Sequence, residues 1–470
     1  MTSKPRAWIA ASAASLGAYA LLRAKGVGGR RRAWPPLGQH GPRIVILGAG
    51  FAGLTTAQVL RRRLGTRGQI VLVDRHNYHL FTPALYQVAS CEVDPYAIAY
   101  PIRQFAGRHG VQFRRAMVTG VDFDARRVQL DQGHLEYDHL VIALGTTSNF
   151  HGNPGARQHA LPLNWLEDGI AIRHHLLDCL EQAVDSANPA VRRELLSFVI
   201  IGGGATGVET AGALASMLQQ VLPKDYPALD PRDVRVLVIE SESKLLGHMG
   251  DRIARVTLER LRALGVEVWL NARAKDVESD QVIVDDGRTR GARTILWTTG
   301  VRVPAVVAGL DAPHGKGGSL QVDEHLQVSN RPGVYAVGDN AHFEDPRTHQ
   351  PAPLLAANAI QQGAVVAENV ARAVDGLPPR PFRYRDYGNV VSLGHGAGVA
   401  EFQGLVVDGL VGWLAWRLVH LVKITSFRNQ LATALDWSVG YVYDQDTVRL
   451  ELDPSVGSAS GAESEAAPHA

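Results

Sequence analysis

The sequence predicts an α/β fold with two Rossmann-like dinucleotide-binding domains and a C-terminal amphipathic, membrane-associating helical region, and three stretches predict it. Arg43 to Leu54, RIVILGAGFAGL, runs four apolar residues into glycines at G-x-G-x-x-G spacing. Residues 195–209, LLSFVIIGGGATGVE, repeat the arrangement. Residues 409–423, GLVGWLAWRLVHLVK, separate cationic from apolar side chains at helical spacing.

In chain order, residues 44–47 read as a short buried strand. Gly48, Gly50 and Gly53 then allow a tight turn, close approach of backbone to a pyrophosphate, and close packing of helix on strand. The helix beginning there points free N–H groups at phosphates. Phe51 and Ala52, inside the fingerprint, are expected against the same ligand. A second apolar run, 70–73, ends in Asp74, positioned for ribose hydroxyls, with Arg75 beside it. Next come RHNYHLFTPALYQVAS and DPYAIAYPIR, where aromatic, Pro and Arg residues crowd together. They read either as a ligand-lining segment or as a well-packed surface loop. Residues 111–142 alternate and turn like β-structure. They close with residues 140–144 and then Gly145, Thr146 and Thr147, small residues at a strand end that let backbone approach a cofactor.

Residues 165–186 carry apolar side chains at helical spacing. Residues 195–201 read as a strand, followed by Gly202, Gly204 and Gly207, with Glu209 expected on the first helical turn. Strand 234–239 ends in Glu240. The stretch 219–233, with three prolines, reads as an inserted loop. A carboxylate at Glu240 can accept from a ribose diol and repels a 2′-phosphate. Glu242 adds to that charge, so NADH is favoured over NADPH. Two fingerprints mean two dinucleotides, and the natural pair is FAD in the first domain and NADH in the second. TILWTTG, ending at Gly300, closes the second domain as the strand before Gly145 closes the first. GVYAVGD then ends in Gly338 and Asp339, a carboxylate for a polar part of the flavin chain.

The expected organisation is an N-terminal extension over 1–42, a first FAD-binding part over 43–160, an NADH-binding domain over 161–315, a second FAD-binding part over 316–375, a membrane-associating region over 376–450 and a disordered tail over 451–470. A chain of 470 residues can bury cores for two or three domains. Net charge is +2, so no strong field points to nucleic acid. Two cysteines, Cys91 and Cys179, exclude a disulfide framework and Cys-rich metal sites; they read as buried reduced thiols, and no metal is expected. Residues 7–22 are uncharged, with the larger basic cluster after them. That run reads as a short membrane helix or surface anchor, a targeting segment, or a disordered leader. Arginines placed after the run exclude a twin-arginine signal. If it spans, the positive-inside rule leaves the body on the cytoplasmic side of the cell membrane.

GAGFAGL, YHLFTPALYQVAS, DPYAIAYPIR, ALGTTSNFHG, IGGGATGVE, WTTGV, VYAVGDNA and AIQQG occur in this order. Together with the tail they resemble the type II NADH dehydrogenases, single-chain FAD-containing NADH:quinone oxidoreductases within the pyridine nucleotide-disulfide oxidoreductase-like superfamily. The resemblance runs from about Arg43 to Tyr443. It implies a respiratory, non-proton-pumping flavoprotein, with membrane lipid and a membrane quinone as partners. A homodimer is left open. Gly48, Gly50, Gly53, Asp74 and Asp339 would hold FAD; Gly202, Gly204, Gly207 and Glu240 would hold NADH. Glu209 matches an acid near the nicotinamide, the alternative being an acid favoured by the helix dipole. The quinone would need a donor as charge develops on its oxygen, and Gln361 and Gln362 can donate. The family often shows A-Q-x-A-x-Q here, and Ala357 stands in place of its first Gln. RYRDYGNVVSLG likewise lacks a Lys that many members carry.

Other readings are a soluble NADH-dependent reductase of another acceptor, a sulfide:quinone oxidoreductase, which needs paired redox cysteines, and a low-turnover nucleotide sensor or scaffold. In the tail, Arg417, His420 and Lys423 share one face, with Trp413 and Trp416 on its side, while Leu414, Leu418, Leu421 and Val422 cover another. Such a helix suits a membrane interface. The alternative is a helix packed on the protein's own core.

Overall fold

A computed structural model describes residues 41–402, 404–442, 447 and 448. The expectations for 1–40 and for the tail from 451 lie outside the described residues. The first unit contains β1 (Arg43–Leu47), α1 (Phe51–Leu64), β2 (Gln69–Asp74), α2 (Leu85–Ala89), β3 (Gln112–Arg115) and β4 (His139–Ile142). The second contains α3 (Leu166–Asp185), β5 (Ser197–Ile201), α4 (Ala205–Asp225), β6 (Arg235–Ile239), β7 (Val266–Trp269) and β8 (Thr294–Trp297). The chain continues through β9 (Val334–Ala336), α5 (Ala356–Val374), β10 (Asn389–Ser392), β11 (Gly398–Phe402), β12 (Leu405–Asp408), α6 (Gly409–Lys423) and α7 (Phe427–Val442).

The two units repeat one topology. The first sheet is parallel, in the order β9-β4-β1-β2-β3. The second is also parallel: a short strand Leu161–Pro162, then β8-β5-β6-β7. Registers match, since Leu47 faces Val73 and Ile142 as Ile201 faces Ile239 and Trp297. All five residues of β5 and four of five in β1 are buried, as expected for strands covered on both faces. The carboxyl ends of β1 and β5, where strand order reverses, are where such sheets open a crevice for ligands. The first sheet takes its edge strand, β9, from sequence beyond the second unit, so the chain returns to the first unit after completing the second.

Three local expectations need correction. Residues 219–225 continue α4 rather than forming a loop, with Val221 and Leu222 buried. Pro223 lies near the helix end, where losing one backbone donor costs little against that burial. Leu195 ends a short helix, Pro189–Leu195, and the strand begins at Ser197.

The third correction concerns α6. Its basic and aromatic face packs inward, and its leucine face is exposed. Trp413 and Trp416 are buried. The Arg417 guanidinium lies 3.8 Å from the Trp413 ring centre and 4.8 Å from that of Trp437, and donates to the Trp437 carbonyl. His420 stacks on Trp416 at 4.1 Å and donates from Nδ1 to its carbonyl. Burial pushes His420 down to about 4, so the ring is neutral at pH 7. The sequence separated the two faces except at Leu421, which packs against the shared core, but rings that can stack on cations and bury apolar area favour the protein side. Lys423 alone of the three basic residues is exposed.

The outward face of α6 carries Leu410, Val411, Leu414, Leu418 and Val422, each 41 to 62% exposed. In α7, Phe427, Leu431, Leu435 and Val439 repeat every four residues, each 45 to 54% exposed. The opposite side of α7 is anchored. Ser426 Oγ accepts from the Asn429 N–H, capping the helix, and the Asn429 amide donates to the carbonyls of Ala97 and Ala99. Trp437 Nε1 donates to Gln87 Oε1. The tail, the 80–98 segment and α4 share one apolar core. Among the described residues, no helix is long and apolar enough to cross a membrane.

Candidate active site

Each fingerprint closes the same turn. Gly48 (φ +98°) and Gly202 (φ +114°) take up backbone that side chains disfavour. Their N–H groups donate to Val73 and Ile239 at 2.7 and 2.8 Å. A Cβ at Gly53 or Gly207 would sit 1.9 Å from the carbonyl oxygen of the first glycine, which is why helix and strand can touch there. The middle glycines differ. A Cβ on Gly50 or Gly204 would meet no atom within 4 Å. Both residues are helix N-caps without a side-chain cap, so free N–H groups face open space. This is the cradle a pyrophosphate requires.

The strand-end acids brace these turns. Asp74 accepts from the Ala49 N–H at 2.7 Å and the His76 N–H at 2.8 Å. Glu240 accepts from the Gly203 N–H at 2.5 Å and the Glu242 N–H at 2.8 Å. Each carboxylate oxygen keeps lone-pair capacity for a ribose hydroxyl. Burial raises the Asp74 carboxyl above its ordinary range, while the two backbone donors hold it back. Arg75 lies with its guanidinium 4.3 Å from the Trp165 ring centre. The second cradle opens into a cleft of about 450 Å³, with Gly202, Glu240, Lys244, His248 and Gly300 among its walls.

In the first unit the return strand β9 brings Gly338 and Asp339 to the end of β4. Asn340, fully buried, donates to the Gly145 carbonyl and accepts from its N–H. Thr146 Oγ1 donates to Asp339, and burial raises the Asp339 carboxyl. Phe51 packs edge-on against His79 and Phe81, and His79 Nδ1 donates to the Ala49 carbonyl. Ala52 meets α5 at Gly363, where helices approach backbone to backbone.

Gln362 and Gln361 part company. Gln362 Oε1 accepts from the Gly338 N–H at 2.7 Å, and its buried Nε2 has no partner among the described residues. An unpaired buried donor costs about 1–3 kcal/mol, which a ligand acceptor beside Gly338 would offset. Gln361 was expected to offer its amide to a quinone. Instead Nε2 donates to the Arg385 carbonyl and Oε1 accepts from the Arg385 N–H, bracing the segment after α5.

Glu209 lies on the second turn of α4, not the first, and is buried. Its Oε1 accepts from the Ser392 N–H at 3.1 Å and from Trp416 Nε1 at 2.7 Å. Burial raises its carboxyl to about 8 against these two donors. The acid is therefore held by β10 and the tail helix, beyond anything the helix dipole supplies. Sequence reasoning missed this partner, as it missed Asn340 and His79, because each pairing joins residues far apart in the chain. Cys91 and Cys179 are both buried, and neither is part of a disulfide.

The profile of the pyridine nucleotide-disulphide oxidoreductase family matches residues 42–363. A type II NADH:quinone oxidoreductase of Mycobacterium tuberculosis is 30% identical over 85% of this chain and 88% of its own. A demethylphylloquinone reductase of Synechocystis is 32% identical over 84% of this chain and 95% of its own. Among solved structures, NDH2 from Plasmodium falciparum in complex with NADH has a TM-score of 0.78 at 18% identity, covering 87% of this chain and all of that one. With two matched cradles, a family profile spanning both, and relatives aligned over most of their length, the chain belongs to the pyridine nucleotide-disulphide oxidoreductase family and, within it, to the type II NADH:quinone oxidoreductases.

Proposed function

We propose that this protein oxidises NADH and reduces a membrane quinone, using FAD held in the first cradle. The observation that carries this reading is the pairing of two equivalent nucleotide cradles with an outward apolar face on the tail. FAD, when bound, takes a hydride equivalent from NADH and returns two electrons to an acceptor. The protein's own residues supply position and selection. Gly50 leaves room for the pyrophosphate, Asp74 and Asp339 hold polar groups of the cofactor, and Gln362 Nε2 donates to it. Gly204 and Glu240 orient NADH, and Glu209 stands near its nicotinamide. The quinone is proposed to enter beside the start of α5, the stretch that resembles the family's quinone-proximal motif. With Ala357 unable to donate and Gln361 tied to Arg385, the donor to its carbonyl comes from elsewhere in this wall or from water.

The two stripes of exposed apolar residues, each spaced by four, suit a helix pair lying in a bilayer surface. Attachment on the cytoplasmic side, peripheral or anchored, is the arrangement proposed; if residues 7–22 span the membrane, the basic cluster after them leaves the body on that side. A homodimer stays an expectation, read by light scattering. NADH oxidation by the purified protein in lipid, followed by absorbance with a panel of quinones and with soluble dyes, tests the function. Turnover with quinones is expected; turnover with a soluble protein or dye alone would replace this reading.

Coenzyme choice gives a sharper expectation. Glu240→Gln removes the charge opposing a 2′-phosphate. It also turns an amide N–H toward one of the two backbone donors. The ratio of kcat/KM for NADH over NADPH should fall about tenfold, roughly 1.4 kcal/mol. An unchanged ratio would place the ribose away from Glu240.

A further inference from the structure

The second-turn position of Glu209 leaves its two carboxylate oxygens unequal. Oε1 receives the Ser392 N–H and the Trp416 indole N–H. Both partners can only donate. A proton on Oε1 would face two hydrogens, so the acid form carries its proton on Oε2. No protein donor reaches Oε2 among the described residues. Trp416 has little freedom to leave: it is 1% exposed, stacks on His420, and meets the rings of Tyr86 and Trp437 at 5.9 and 5.8 Å.

We propose that Trp416 is a positioning residue for Glu209, fixing Oε1 so that Oε2 alone exchanges a proton. The proposal rests on the NADH-oxidising reading above and adds a residue to it. Trp416 lies on the same helix as the outward leucines. One short element thus presents the apolar face on one side and sets the chemistry of a buried acid on the other.

The groups around this acid come from four elements. Tyr86 lies on α2 and Glu92 in the turn after it; burial raises both, Glu92 to about 7. Arg417, on α6, stays cationic although burial lowers it to about 10. His420, also on α6, is neutral, and Ser392 on β10 contributes only a backbone donor. Glu92 and Glu209 both titrate near neutrality, so a variant must identify which group is observed.

The test is an infrared pH titration of the full-length, FAD-loaded protein without NADH. The band of the protonated Glu209 carboxyl is identified by its loss in Glu209→Gln. Trp416→Phe keeps an aromatic ring and removes one donor to the charged form. The Glu209 midpoint should then rise by about one pH unit, the effect of one hydrogen bond to a charged group. The pH profile of NADH oxidation should move the same way. An unchanged or lowered midpoint in Trp416→Phe overturns the proposal, as does the absence of any band lost in Glu209→Gln. If Trp416→Phe does not fold, ultraviolet resonance Raman on the wild type decides. An indole N–H band should shift across the Glu209 midpoint and not in Glu209→Gln; no such shift overturns the proposal. Absence of quinone-linked turnover would refute the functional reading and leave this titration unaffected.

Discussion

Gly50→Val is expected to yield a folded protein without bound FAD. Gly50 has φ −73° and ψ −167°, extended backbone that valine adopts readily. Its Cβ would enter open space, so nothing in the protein resists the change. The side chain occupies instead the volume through which the pyrophosphate must pass. Affinity should fall at least a hundredfold, about 3 kcal/mol or more. Far-ultraviolet circular dichroism should stay native and NADH should still bind the second cleft, while the flavin absorbance of the purified protein disappears. A full flavin spectrum would remove the first fingerprint from the cofactor site. Gly53→Val would be uninformative, because its Cβ clashes with the Gly48 carbonyl and damages the fold itself.

The second large effect concerns the outward stripe. Leu414 and Leu418 are 48 and 41% exposed, so replacing both with glutamate leaves the core intact. If they lie in lipid, the pair loses about 2 kcal/mol of apolar contact, roughly thirty-fold in partitioning, before any charge penalty. Co-sedimentation with vesicles should show the double variant in the supernatant. Glutamates at Leu421 are not equivalent, since that residue packs against the shared core. Undiminished vesicle binding would move the anchor away from α6.

The parts of this fold that read directly from sequence are the parts made by local rules. A buried parallel strand must be continuously apolar, and a phosphate turn must be glycine, so β1, β5 and both cradles were visible as short words. The acids at Asp74 and Glu240 followed, because a strand of fixed rise places its end at a known point. The glutamines were different. Gln361 and Gln362 are neighbours on one helix, yet one braces Arg385 and the other faces Gly338. Direction around a helix decides that, and the packing of α5 on α1 decides direction. The tail shows the same limit. Its two faces were legible from helical spacing, but which face turns inward depended on Glu209, Tyr86 and Gln87, hundreds of residues earlier. Pro223 misled for the opposite reason: a local breaker signal was outweighed by burial of Val221 and Leu222.

The claim that matters most is that electrons pass from NADH through the bound flavin to a quinone. Anaerobic rapid mixing separates the two halves. NADH should bleach the flavin absorbance of the purified protein, and a quinone added in a second mix should restore it at a rate sufficient for steady turnover. Flavin that NADH bleaches but no quinone restores would contradict the account and assign the electrons to another acceptor.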